Sequence, residues 1–307
     1  MHQTPAAERA LFLGQSSIVQ RLQDEARRAL EAQRPILIEG EPGVGKRALA
    51  RWLHRHGTRA GAPFVECHSA IGSGTDLFIG SAPESSGLLE SAHRGTIFVD
   101  EITDLDPDAQ ARLLVAIEER RVERPGGADH RTVDVQLMAG TRRDLLAWVR
   151  EGRFRSDLYE RLAAIALSIP PLRERPEDIP EVAAALLAEL RAEMARPHAT
   201  LSFEACAALS VYPWPSNMRE LRNVLEWGLL CAERDEISGR HLGLEPAAGP
   251  ASDELSLTLA QVEQRHIERV LQSEGGHVER AAKRLDVPRS TLYQRIKALG
   301  IRPRFRG

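Results

Sequence analysis

The first half of the chain alternates short apolar runs with helical periodicity. Pro35-Ile36-Leu37-Ile38-Glu39 reads as a buried strand that runs into a glycine-rich loop, and Ala48 to His54 reads as the helix after it. Four more apolar runs follow: Pro63 to Cys67, Thr96 to Glu101, Val133 to Gly140 and Ala164 to Ile169. Continuous apolar strands alternating with helices predict a parallel sheet covered on both faces. From Glu177 to about Leu242 the pattern is helical only. Glu245 to Ser252 is small, Pro/Gly-containing and without periodicity, as a linker is. Three helical stretches come after it. Leu259, Val262, His266 and Val270 fall on one face, and Val278, Ala281, Ala282 and Leu285 repeat at helical spacing. Leu292, Ile296 and Leu299 do the same. Only Asp286-Val287-Pro288 separates the last two stretches, which predicts a helix-turn-helix.

Charge sharpens this division. The 307 residues carry a net charge of −3. From Ser256 to Gly307 there are eleven basic and five acidic residues, a net +6, which leaves −9 on the remainder. A basic tail on an acidic body suits a phosphate-bearing partner, although a solvated helix pair has the same composition. No apolar run approaches the roughly 20 residues of a membrane span. The N-terminus lacks the basic and apolar blocks of a secretory signal. Cys67, Cys206 and Cys231 are widely spaced and odd in number, which predicts reduced thiols and a cytoplasmic location with no membrane partner.

Two motifs carry chemistry. Gly40-Glu41-Pro42-Gly43-Val44-Gly45-Lys46 sits between a strand and a helix. Its glycines let backbone N–H groups converge on phosphates at the helix N-terminus. Lys46 is one of three lysines among 41 basic residues and is placed to reach β- and γ-phosphates. Arg47 stands where such loops commonly carry a magnesium-binding hydroxyl. Asp100-Glu101 ends an apolar strand. Asp100 is expected to hold magnesium through water and Glu101 to orient an attacking water. The same pair also suits the first turn of a helix.

These residues, in this order, resemble the AAA+ domain of bacterial enhancer-binding proteins, the NtrC class of sigma-54 activators. Further markers are Gly95 to Ile102, Gly152 to Leu162, Pro170 to Arg175 and Trp214-Pro215-Ser216-Asn217-Met218-Arg219-Glu220-Leu221. The resemblance covers about Phe12 to Leu242 and resumes from Leu257 to Ile301. It implies an α/β AAA+ P-loop parallel sheet at 11–172, a helical lid at 173–243, a linker at 244–256 and an all-α Fis-type helix-turn-helix at 257–302. ATP and magnesium are the implied ligands. By position, Arg155 and Arg161 match arginines that reach a neighbouring subunit's nucleotide, Arg219 matches a lid sensor and Thr141 a strand-end sensor. A site completed by a neighbour implies a ring, hexameric by resemblance. In the tail, Arg289, Ser290, Thr291, Tyr293, Gln294, Arg295 and Lys297 are the expected DNA-contacting residues. Leu292 and Ile296 face the core, and a dimer reads paired half-sites on double-stranded DNA. His266 is expected to pack in the dimer seam.

Three departures from the family stand out. His68 replaces an asparagine that holds the catalytic glutamate in a switch, and Arg142 replaces the asparagine after the sensor threonine. The motif GAFTGA, which contacts sigma-54, does not occur, and Ile79 to Ser86 is too short for its hairpin. The pattern begins near residue 12, so no N-terminal regulatory domain is expected. RNA polymerase is an expected partner with the sigma factor open. Two alternatives to a ring-forming ATPase also stay open: a regulator of sigma-70 promoters that binds ATP without hydrolysing it, and a mixed ring whose partner supplies the missing loop.

Overall fold

The computed structural model describes residues 12–68, 87–123, 130–244, 263, 264, 266, 267, 270, 271, 278–285 and 287–299. The segment 79–86, the linker at 245–252, Leu259, Val262 and the arginines after residue 300 lie outside the described residues. The chain divides into two compact units, 1–244 and 245–307.

In the first unit, β1 (Ile36–Glu39), β2 (Phe64–His68), β3 (Thr96–Asp100), β6 (Gln136–Thr141) and β7 (Ala166–Ser168) form one sheet in the order β2-β3-β6-β1-β7. Every pairing in it is parallel, as the apolar runs predicted. A hairpin of β4 (Arg121–Glu123) and β5 (His130–Thr132) stands apart from it. The sheet is apolar on both faces. Ile97, Val99, Leu137 and Ala139 pack with Leu113 and Leu158 on one side, and Ile36, Ile38, Phe98 and Met138 with Leu22, Leu49 and Leu53 on the other.

The helices around the sheet start where local chemistry allows. α1 (Ser17–Ala29) is capped by Ser16, whose Oγ accepts the Val19 amide at 3.3 Å. α2 (Lys46–His56) has Gly45 as its N-cap in left-handed backbone, φ 111°, with no side chain capping its first turn. α3 (Leu88–Ser91), α4 (Pro107–Glu119), α5 (Leu145–Arg150) and α6 (Ser156–Leu162) complete this layer. Asp106 caps α4 and Asp144 caps α5.

The lid is built from α7 (Ile179–Glu193), α8 (Phe203–Val211) and α9 (Asn217–Cys231), with a short parallel pair β8 (Thr200–Leu201) and β9 (Glu236–Ile237). Its core centres on Trp214, fully buried, whose indole N–H donates to the Leu209 carbonyl at 2.9 Å. Asp178 ties the lid's root back to α1. Its carboxylate accepts the Gln15 amide at 2.9 Å, the Ser16 amide at 3.1 Å and the Ser16 hydroxyl at 2.5 Å.

In the second unit, α10 (Val278–Arg284) and α11 (Arg289–Ala298) pack with Ile267, Val270 and Leu271 around Ala281, Ala282, Leu292 and Ile296. The first helical stretch differs from its expected phase. His266 is exposed, and Ile267 takes the buried position beside Val270 and Leu271. Within the unit, then, Ile267 and Leu271 join Val270 on the packed face, and His266 lies outside this core.

Candidate functional site

The glycine loop leaves the C-terminal end of β1, the acidic pair leaves β3, and Thr141-Arg142 leaves β6 between them. Register places all three at one edge: Glu39 pairs with Thr141, and His68 with Asp100. Ligands of open parallel sheets bind at this edge. Of His68 only the backbone is described.

Loop residues Pro42, Gly43, Val44, Gly45, Lys46 and Arg47 line a cleft of about 830 Å³, closed on its far side by Leu186, Met218, Arg219 and Arg222 of the lid. The volume is that of a small-molecule site. Two observations fit a nucleotide's phosphates. The amides at the start of α2 have no side-chain cap, so they are open to an anion. Gly43 has φ 78°, and a Cβ there would meet the Ser216 carbonyl at 2.1 Å, so only glycine lets the loop pass this close under the lid. Gly40 is also left-handed at φ 155°, against Ile169 and Val44, and Val44 is buried in the core.

Lys46 is 7% exposed and turns back over the loop, donating to the Gly40 carbonyl at 2.9 Å. Its Nζ lies 3.3 Å from Glu101 Oε1, and Arg142 Nε lies 3.5 Å from Oε2 of the same carboxylate. Glu101 itself is left-handed, φ 55°, which turns the chain sharply out of β3. Asp100 receives the Glu101 amide at 3.2 Å. It needs a glycine opposite, because a Cβ on Gly140 would stand 2.9 Å from Asp100 Oδ1. Arg47 points to Glu66, which also receives Arg51 Nε at 2.6 Å. Burial pushes the Glu66 carboxyl up, but the two guanidiniums outweigh it and hold it below the ordinary range. Arg47 thus offers no hydroxyl to a metal. Among the described residues no group of three or more His, Cys, Asp or Glu forms a closed metal site. The arrangement suits magnesium held by one carboxylate and substrate phosphates.

The structure places the other expected residues as follows. Thr141 is fully buried. Its hydroxyl accepts the Arg143 amide at 3.0 Å, and Arg142 lines the cleft instead. Arg155 and Arg161 do not line the cleft. Arg155 holds Asp157 in a two-pronged pair at 3.0 and 2.7 Å, and Arg161 holds Glu118 at 2.8 Å. Arg219 lines the cleft with no ion pair or hydrogen bond among the described residues.

Three residues outside the expected set shape the site. Asn217, fully buried, donates to Glu41 Oε2 and to the Pro42 carbonyl, both at 3.2 Å, and accepts the Leu172 amide at 2.9 Å. It joins loop, lid and the segment between them. Arg173 pairs with Glu41 at 2.7 and 2.5 Å, and this bond holds the Glu41 carboxyl below its usual range. Gln110, buried, accepts the Arg155 amide at 3.0 Å and donates to the Leu105 carbonyl at 2.9 Å, which fixes the loop carrying Arg155. Asn217 and Arg173 fell inside sequence markers, Trp214 to Leu221 and Pro170 to Arg175, but neither was expected at the site, and Gln110 left no signal.

In the second unit, Arg289, Ser290, Tyr293, Gln294 and Arg295 are exposed on α11 and Thr291 is half-buried. Leu292 and Ile296 are buried as expected. Arg289 pairs with Glu279, and Arg295 with Glu263 at 3.2 Å. The Lys297 side chain lies outside the described residues.

The sheet, the phosphate loop and the helical lid define an AAA+ ATPase-type domain, and the second unit is a helix-turn-helix. Comparison with known proteins narrows this class. Residues 12–168 match the sigma-54 interaction domain, 173–257 the AAA+ ATPase lid domain and 258–299 the Fis family of bacterial regulatory proteins. The chain belongs to this family of bacterial transcription regulators. It is 36% identical over 321 residues to the response regulator protein PilR of Pseudomonas aeruginosa, covering 97% of this chain and 72% of PilR. It is 36% identical over 308 residues to the transcriptional regulatory protein ZraR of Salmonella typhimurium, covering 95% and 70%. A crystal structure of NtrX from Brucella abortus in complex with ADP superposes with TM-score 0.72 at 28% identity, covering 94% of this chain and 69% of that one. Another of NtrX in complex with ATP gives 0.71 at 27%, with the same coverage.

Proposed function

We propose that this chain binds ATP in the cleft between the Lys46 loop and the lid, and hydrolyses it in a ring of copies while its C-terminal unit holds double-stranded DNA. The carrying observation is that Lys46, Asp100, Glu101 and Arg219 line one cleft of nucleotide size. The α2 amides and Lys46 take the phosphates, and Lys46 exchanges Glu101 for them. Asp100 would hold magnesium through water, and the metal would supply charge neutralisation to the nucleotide's phosphates. Glu101 then orients a water toward the γ-phosphorus; the bond to the leaving ADP oxygen breaks as the new P–O bond forms, and the water's proton passes through Glu101 to the released phosphate. Arg219 reports the terminal phosphate to the lid. Arg155 and Arg161 lie on the chain's surface, 45% and 60% exposed, where a neighbouring copy's cleft can receive them. ATP that binds better to the assembled form favours the ring by mass action.

Turnover by the purified chain, measured beside Glu101→Gln across a range of protein concentrations, tests this. Turnover per chain is expected to rise with concentration and to fall by at least about a hundredfold in the variant, the scale of one transition-state contact. No turnover above the variant at any concentration overturns hydrolysis. If ATP binding then persists, the second reading stands: a regulator for which ATP sets assembly only. The missing GAFTGA motif favours that reading for the polymerase contact.

A further inference from the structure

The end of α5 and the loop after it close on one residue. The Trp148 carbonyl accepts two amides of that loop, Arg153 at 2.9 Å and Phe154 at 3.2 Å. Its indole is half-buried against the sheet's core, and two guanidiniums lie over the ring. The Arg153 carbon is 3.7 Å from the ring centroid and the Arg143 carbon 4.4 Å. Each cation also has a carboxylate nearby, Glu151 at 3.4 Å from Arg153 and Asp104 at 3.7 Å from Arg143, which lets two like charges share one ring. Phe154 is buried in the same core. Arg155 follows it, with its amide held by Gln110 and its side chain exposed. A leucine at 148 would serve the core contact and accept the same two amides. Only an aromatic face gives the arginines something to stack on, and tryptophan is the best of these.

We propose that Trp148 is a positioning residue whose ring, by holding Arg153, sets where the Arg155 guanidinium meets a neighbouring copy's nucleotide. The inference rests on the ring-forming reading above, in which Arg155 completes that cleft. Arg155 is paired with Asp157 and has to leave it to reach a phosphate. Its side chain then starts from a backbone fixed at the three consecutive residues 153, 154 and 155, by the stack, the core and Gln110. Without the ring face, Arg153 loses its seat and the loop is held at two of the three. A misplacement of about 1 Å in a reacting group can cost roughly a hundredfold in rate. The loss falls on the neighbour's chemistry. The chain's own nucleotide cleft, which neither Trp148 nor Arg153 lines, is left as it was.

Trp148→Leu keeps the core contact and the backbone bonds and removes the ring face. Its kcat for ATP is expected to fall about ten- to hundredfold, with KM within about twofold of wild type. Trp148→Phe, which keeps a ring, is expected to recover most of the loss. Arg153→Met removes the cation from its exposed side and should lower kcat in the same sense, so the test stands even if the leucine variant folds poorly. Mixing locates the defect. Equal amounts of Trp148→Leu and Glu101→Gln chains are expected to turn over severalfold faster than Trp148→Leu alone, because a Glu101→Gln neighbour brings an intact Arg155 loop to an intact cleft. Wild type mixed with Glu101→Gln sets the reference. Unchanged kcat in Trp148→Leu and Arg153→Met, a loss carried by KM, or no gain on mixing overturns the proposal while leaving hydrolysis in place. A wild-type chain without turnover overturns the ring-hydrolysis reading, and this inference with it.

Discussion

The nucleotide cleft and the recognition helix solve the same problem differently. Each presents cations suited to phosphates, and each pairs them with the chain's own carboxylates. In the cleft the pair is sheltered: Lys46 is 7% and Glu101 12% exposed. On α11 the pairs face water: Arg295 and Glu263 are 57% and 36% exposed, and Arg289 and Glu279 58% and 68%. A sheltered charge without a partner is costly, so the cleft exchanges one anion for another as a unit. Exposed pairs are screened and contribute about 0–1 kcal/mol, so the arginines of α11 are free to leave them singly. The first arrangement suits a site that must respond to one ligand, and the second a surface that must sample many sequences.

The largest effect that would break this contrast is at Asn217. It supports the cleft from beneath through three hydrogen bonds and is fully buried in left-handed backbone, φ 54°. Asn217→Ala leaves the Leu172 amide and the Pro42 carbonyl short of a partner and adds strain at positive φ. A loss of about 2–4 kcal/mol is expected. For a unit of this size that lowers the melting temperature by roughly 4–15 °C. Asn217→Gly removes the bonds but relieves the backbone, so it should melt above the alanine variant by the equivalent of about 1 kcal/mol. If both variants melt with wild type, the loop and lid are not joined through this residue.

The second effect lies on α11. If Arg295 reads a base edge, Arg295→Ala should weaken specific DNA binding by about 1–3 kcal/mol and relax preference at one position of the site. Its melting temperature should stay at the wild-type value, because the pair it breaks with Glu263 is exposed. Unchanged DNA binding removes Arg295 from the reading surface.

How far the sequence foretold these two regions follows from what each feature depends on. The interior strands β1, β3 and β6 were legible because burial on both faces leaves them few polar positions, and the edge strands β2 and β7 still carried short apolar runs. Their limits were less so. The fourth run was expected from Val133, but β6 starts at Gln136. Val133 is buried with its amide bonded to Arg120, and Asp134 is clamped by Arg59 at 2.8 Å and by the Arg94 amide at 2.7 Å. There apolarity marks burial in the connection between β5 and β6, not a ladder. The helix expected from Ala48 starts at Lys46, because the left-handed backbone of Gly45 sets the N-terminus two residues before the first apolar position that repeats. In the cleft, Lys46, Asp100 and Glu101 were found from local motifs. Arg142 was noticed only as a departure, and its facing Glu101 depends on the β3–β6 register, which no local spacing encodes. Gln110 left no signal, since its work is done across 45 residues of sequence.

The smallest effect is the sharpest test of the difference between the regions. Glu263→Gln removes the charge that faces Arg295 but keeps the shape and a hydrogen-bonding amide. Were the reader built like the cleft, an unpaired cation would destabilise its unit measurably. Because the pair is exposed, the melting temperature is expected to shift by less than about 1 °C. The freed arginine no longer has to leave a carboxylate to meet a phosphate or a base. A negative charge is also removed from the approach of a polyanion. DNA affinity at low salt is therefore expected to rise by roughly two- to fivefold, and the gain to shrink as salt screens it. Arg295→Ala in the Glu263→Gln background separates the two contributions. If the gain comes from releasing Arg295, it vanishes in the double variant. If it comes only from the general field, it persists at the same size, and the Arg295–Glu263 pair plays no part in holding the reader ready.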